Sequence, residues 1–223
     1  MVFRLVVQTA LWLLAMGLVL FLSAGDPSWA AGWGFIGEIG ILSLAVGLWL
    51  AWRDPVLLAE RLAAPWQPKQ ANWDRRLMIA TALGFCAWLA LMALDAGRFR
   101  FSRMPQSLQG VGVLVIAASI CIAWLAFMVN RFAATVVRIQ SDHEVISDGP
   151  YALVRHPMYA GAVFFFLGAP LLLGSWVGLA LSPLFVIVLG VRAVGEERML
   201  REELPGYAAY SERVRYRFAP MLW

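Results

Sequence analysis

The sequence predicts an all-α integral membrane protein of about six transmembrane helices. The last two form a helical hairpin, and a cytoplasmic amphipathic helical tail follows. Three observations predict this. Of the 223 residues, 61% are hydrophobic and 14% are charged, against about 45–50% and about 25% in soluble domains. The excess falls in continuous apolar blocks of about bilayer length, roughly 20 residues, not in the ten-residue alternation of a porin-type barrel. The charges gather between the blocks, and in a six-span arrangement fifteen of the eighteen Lys and Arg fall on one side.

The first block is residues 5–22, preceded by Arg4. It is long for the core of a signal peptide, so a true first helix is expected. Gly25, Asp26 and Pro27 break it, and Trp29 and Trp33 suit a membrane interface. The second block is residues 34–52, with Glu38 near its start expected at headgroup level. Residues 53–76 are polar and contain Pro55, Pro65 and Pro68. Leu57, Leu58 and Leu62 beside Glu60 and Arg61 fit a short helix on the membrane surface or a solvated loop equally well. The third block, residues 77–94, is expected to end at Asp95 and Gly97. A loop with Arg98, Arg100, Arg103 and Pro105 leads to the fourth, residues 108–129. Residues 130–140 read as an emerging helix end, with Arg131 and Arg138 near the headgroups. The fifth block (158–173) and the sixth (177–191) are joined by the uncharged turn Gly174-Ser175-Trp176, hence the hairpin. Residues 192–223 form a charged, partly amphipathic tail. Cys86 and Cys121 each lie inside an apolar block and read as packing residues.

With the N-terminus inside, only Arg98, Arg100 and Arg103 lie outside. Lys69, Arg75, Arg138, Arg155 and the arginines of the tail all fall on the inner side. Both termini then face the cytoplasm, as expected in a bacterial inner membrane. The net charge of +4 follows from this bias and needs no nucleic-acid partner.

One polar stretch, residues 141–161 (SDHEVISDGPYALVRHPMYAG), stands between apolar blocks and holds both histidines, His143 and His156. Polar groups are costly to keep near a bilayer, so they point to function. Pro157 suits the first turn of a helix. That puts Arg155 and His156 at the mouth of the fifth span, with Tyr159 and Gly161 about one turn inside. Singly each has an ordinary reading: the arginine snorkels, the tyrosine anchors, the histidine sits at the interface. As a set beside Asp148-Gly149-Pro150-Tyr151, they read as a site. A second cluster, Arg192, Glu196 and Glu197, follows the sixth block, with Arg192 and Glu196 on one helix face. Alone it is a surface ion pair of little worth. The hairpin, however, returns it to the membrane face of His156, so both clusters converge on one pocket. Acids there suit a positive ligand with sugar hydroxyls, and an arginine suits a carboxylate. There is no glycine-rich phosphate loop and no serine-hydrolase elbow. Two histidines are too few for a histidine-rich di-iron site, and the spacing of His143, Glu144 and His156 fits no standard metal site.

These residues resemble a known family, the membrane methyltransferases related to isoprenylcysteine carboxyl methyltransferase and the bacterial phospholipid methyltransferases. The matching run is His143-Glu144-Val145-Ile146, Gly149-Pro150-Tyr151, Arg155-His156-Pro157-Met158-Tyr159 and Gly161. It continues through Glu196-Glu197 to Tyr207, Tyr210 and Arg213-Val214. The RHPxY piece alone is less specific, because sterol reductases that use NADPH carry one like it. The resemblance implies S-adenosyl-L-methionine as methyl donor, bound outside any Rossmann domain. It implies a cofactor pocket lined by His143, Glu144, Val145, Ile146, Tyr151, His156, Pro157, Met158, Tyr159 and the Glu196/Glu197 pair. Arg192 matches an arginine that faces the substrate in that family. Arg192 or Arg155 would position a carboxylate acceptor, and Glu197 or Glu196 would take a proton from an amine. The acceptor would be lipophilic or small, and would bear a carboxylate, amine or thiol. Residues 1–130 would be N-terminal transmembrane helices and residues 131–223 the cofactor-binding catalytic region of one membrane domain. The competing readings are a sterol-type membrane reductase using NADPH, and a non-enzymatic membrane protein that binds a lipid headgroup.

Overall fold

A computed structural model of the chain describes residues 1–64, 70–133, 135–137, 143–221 and 223. Among these there is no β-strand. Six long apolar helices form the bundle: α1 (Val2–Ala24), α2 (Ala30–Arg53), α4 (Asn72–Met92), α5 (Gln106–Val129), α6 (Pro157–Leu173) and α7 (Trp176–Glu203). Two short ones, α3 (Pro55–Arg61) and α8 (Tyr207–Arg213), lie outside the apolar blocks. Five of the six are long and apolar enough to cross a membrane; α6, with 17 residues, is apolar but shorter. Pro65, Pro68, Lys69, Arg138 and part of the helix end expected over 130–140 lie outside the described residues; the described part, 130–133 and 135–137, is not helical, because the helix stops at Val129.

Two boundaries differ from expectation. The third block does not end at Asp95: α4 continues as a wider π-type turn, Ala93–Arg98. A buried acid can sit there because its carboxylate is satisfied. Asp95 accepts from Ser102 Oγ and from Ser175 Oγ, both at 2.6 Å, and so ties α4 to the α6–α7 turn. The sixth block does not end at Val191: α7 runs on to Glu203. Its 28 residues make a rod of about 42 Å, longer than the roughly 30 Å hydrocarbon core. Arg192, Glu196 and Glu197 therefore stand on the helix itself.

The polar segment after α2 does form a short helix. Pro55 occupies its first turn, and Leu57 N donates to the Asp54 carboxylate at 2.9 Å. Leu57 and Leu58 bury against Leu5, Leu50 and Phe127. The main core gathers Leu20, Phe35, Trp88, Met92, Ile116 and Leu173 from α1, α2, α4, α5 and α6. The α5–α6 pair is in backbone contact: a Cβ on Gly112 would lie 2.3 Å from Leu172 N. Small residues let helices approach this closely where lipid offers no competing drive for burial. Cys86 and Cys121 correct an expectation, because both are exposed on the outside of the bundle and neither packs in the core. A free thiol is apolar enough to face lipid. Glu38 lies about two turns into α2, and its carboxylate oxygens are buried with no partner among the described residues.

Candidate active site

α5 stops at Asn130, whose side chain accepts from Phe132 N at 2.8 Å and so turns the chain. The same amide donates to Tyr151 Oη at 2.8 Å. Tyr151 is presented by a single 3₁₀ turn, Gly149–Ala152, which Gly149 enters in the left-handed region (φ 54°). Tyr210 Oη on α8 donates to Tyr151 O at 2.8 Å and fastens this turn to the tail.

The start of α6 is held by the chain that follows α8. Arg155 N and His156 N donate to Tyr216 O and Arg217 O, each at 2.9 Å, a two-residue ladder. Arg155 Nη1 donates to Val214 O and Arg215 O at 2.7 and 2.8 Å. Glu197 sits at the centre of this assembly. Its Oε1 accepts from Arg155 Nε at 2.7 Å and lies 3.1 Å from His156 Nε2, while Arg217 Nη2 lies 3.0 Å from Oε2. An ionised carboxylate only accepts, so His156 carries its proton on Nε2.

One residue earlier on α7, Glu196 Oε2 accepts from Tyr159 Oη at 2.7 Å. The Tyr159 ring stacks on His156, with centroids 5.2 Å apart and planes 5° from parallel. Arg192 reaches the other way. Its Nε donates to Asp74 Oδ1 at 2.9 Å and its Nη2 to Thr135 O at 2.8 Å. Asp74 is fully buried at the start of α4, and its Oδ2 also accepts from Gln70 Nε2 and Val137 N.

These groups surround a cavity of about 270 Å³. Every residue expected to line the cofactor pocket or to meet the acceptor lines it except Pro157 and Glu197. Pro157 is buried in the first turn of α6, and Glu197 lies behind the wall, engaged with Arg155, His156 and Arg217. Arg61 from α3 and Tyr207 from α8 also line the cavity, and Asp74 braces it from outside. Tyr207 was legible in the family run. Arg61 and Asp74 were not, because they stand in a polar segment with no local pattern and reach the site only through tertiary packing.

Burial favours the neutral forms of Tyr151, Tyr207 and His143. It raises the hydroxyl pKa of Tyr151 and of Tyr207 above the ordinary 10, so both remain protonated donors. It also lowers the His143 pKa below 6.5, against the opposing pull of Glu196. His143 Nδ1 and Tyr207 Oη are buried in the cavity wall with no partner among the described residues. Buried polar atoms are rarely left so, and these two are placed to meet a ligand. Glu144, also at the cavity, is exposed and pairs with Arg131 at 2.8 Å.

Comparison with known proteins gives concordant results. A family model described as phospholipid methyltransferase matches residues 107–205, from α5 to just past α7. The chain is 26% identical to an uncharacterized protein, YpbQ, of Bacillus subtilis over 51% of its own length and 69% of the relative's. It is 46% identical to a protein-S-isoprenylcysteine O-methyltransferase of Schizosaccharomyces pombe over 57% of its own length and 62% of the relative's. The fold is similar to that of a eukaryotic intramembrane Ras methyltransferase, isoprenylcysteine carboxyl methyltransferase. The TM-score is 0.50 at 20% identity, covering 98% of this chain and 87% of that one. The apolar helices, the hairpin that joins the two polar clusters and these matches agree: residues 107–205 are similar to the phospholipid methyltransferases, and the fold is similar to that of an integral membrane isoprenylcysteine carboxyl methyltransferase.

Proposed function

We propose that the protein transfers the methyl group of S-adenosyl-L-methionine to a lipophilic acceptor at the cytoplasmic face of a bacterial inner membrane. The observation that carries this is the pair of unpartnered buried atoms, His143 Nδ1 and Tyr207 Oη, in a cavity that also holds a carboxylate and arginines. Such a set fits a ligand with hydroxyls, a positive centre and a carboxylate. When bound, the donor supplies an electrophilic methyl on a sulfonium. Glu196, held by Tyr159 Oη, offers a negative charge to that end. His143, Tyr207 and the segment 144–146 enclose the nucleoside. Glu197 acts at one remove, by fixing Arg155 and His156 in the wall. The rest of the rate comes from holding the two reactants in line and keeping water out. Residues 131–223 form the catalytic region on a scaffold of residues 1–130.

The acceptor side is suggested by an apolar groove of about 390 Å³ between α4 and α7, walled by Leu77, Gly84, Trp88, Leu184 and Val188. Leu77 is one turn from Asp74 on α4, and Val188 is one turn from Arg192 on α7. The groove therefore leads to the Asp74–Arg192 pair, beyond which the cavity begins. An acceptor chain in the groove would bring its polar end to Arg192, which favours a carboxylate over an amine. Two experiments test this. Calorimetry of the purified protein with S-adenosyl-L-methionine and S-adenosylhomocysteine must show binding; none by the intact protein refutes the proposal. Labelled methyl transfer to prenylated carboxylates and to amine lipids then identifies the acceptor.

A further inference from the structure

Two parts of the cavity wall come from outside the region the family model matches: α8, with Tyr207 and Tyr210, and the C-terminal end of α3, with Arg61. α3 is anchored on both sides. Leu57 and Leu58 are buried beneath it, and the carbonyl of Leu62 accepts from Arg4 Nη2 and from Gln8 Nε2. Arg61 Nη1 donates to Ala133 O at 3.0 Å, and its guanidinium lies 4.3 Å over the Phe127 ring. A carbonyl and a ring face hold the group in place but do not neutralise it.

The other cavity arginines are matched by acids: Arg155 by Glu197 and Arg192 by Asp74. Arg61 has no ion pair among the described residues. Burial draws its pKa down to about 10, so it remains charged at neutral pH. A desolvated cation without a counter-charge is unfavourable. An anionic group on a ligand would offset that, and the planar guanidinium favours a carboxylate.

We propose that Arg61 binds the α-carboxylate of the methyl donor, so that α3 takes part in holding the cofactor. This rests on the methyltransferase reading above. The test is calorimetry of the full chain in detergent with two probes, S-adenosylhomocysteine and 5′-methylthioadenosine, which keeps the nucleoside but lacks the carboxylate. Arg61→Gln is expected to weaken S-adenosylhomocysteine by about 10- to 100-fold, the range for losing a charge-assisted bond. It should leave 5′-methylthioadenosine unchanged, and Arg61→Lys should recover part of the loss. Unchanged S-adenosylhomocysteine binding overturns the proposal. So does an equal loss for both probes, since Arg61 would then only shape the cavity. Failure of the intact protein to bind S-adenosylhomocysteine removes the methyltransferase reading and this proposal together, so the two failures are told apart.

Discussion

Glu197 joins the hairpin to the tail, and its replacement by Gln tests that role. The substitution keeps the shape and removes the charge. Arg155, whose side chain is 4% exposed like that of Glu197, would keep its two carbonyl acceptors but lose its counterion. Removing one member of a buried pair typically costs about 3–5 kcal/mol. Gln still offers one acceptor oxygen, so the low end, about 3 kcal/mol, is expected. Arg217 is partly exposed and adds little. For a chain of this length about 3 kcal/mol lowers Tm by about 6–12 °C. The assay is thermal unfolding in detergent, followed by tryptophan fluorescence, with S-adenosylhomocysteine affinity measured in parallel. Glu197→Gln should lower both, because Arg155 and His156 form the cavity wall. Glu196→Gln, at a more exposed carboxylate facing the cavity, should lower affinity with a much smaller change in Tm. An apolar pair, Arg155→Met with Glu197→Leu, should recover stability relative to Glu197→Gln but not binding. A Glu197→Gln protein that melts within about 2 °C of the parent would refute the reasoning.

Three further outcomes are expected. Asp74→Asn should release Arg192; steady-state methyl transfer should then show a raised acceptor KM, at least about 10-fold by loss of a charge-assisted bond, while calorimetry shows donor affinity nearly unchanged. Gly112→Val forces a side chain into the Leu172 backbone and should destabilise by about 1–3 kcal/mol or more, read as lost folded protein on size exclusion. His143 has a folded pKa below its ordinary 6.5, so the folded state takes up its proton less readily than the unfolded state. Its contribution is present above pH 6.5 and is lost as pH falls through the depressed value; Tm against pH should flatten in that window for His143→Gln.

The helical blocks were legible because each is a continuous apolar run bounded by Gly, Pro or charge. The hairpin was legible because Gly174-Ser175-Trp176 is too short for anything but a reversal. That reversal is what brings residues 143–159 and 192–197 together. Boundaries were less legible where burial overrode polarity. Asp95 looks like a stop signal, but two serine hydroxyls satisfy it inside the protein. Arg192 looks like the end of a span, but Asp74, 118 residues away in sequence, lets α7 continue. The same distance hid Asp74 and Arg61, since no short-range pattern marks an acid or an arginine that reaches across a bundle. Glu197 stood out as a charged residue beside Glu196, yet sequence alone could not tell which of two adjacent acids on a helix turns inward. One faces the cavity, and the other holds together the wall behind it.

The ladder between Arg155-His156 and Tyr216-Arg217 sets an order of assembly. All six apolar helices precede residue 204 in the chain. A nascent protein can therefore have every apolar helix in the bilayer while the carbonyls that cap Arg155 have yet to leave the ribosome. In that interval the bundle is threaded but its pocket has no back wall. Completion of the cavity wall then comes last in biosynthesis, separate from membrane insertion. A chain released before residue 214 would have all its apolar helices but none of the carbonyls that hold Arg155 and His156.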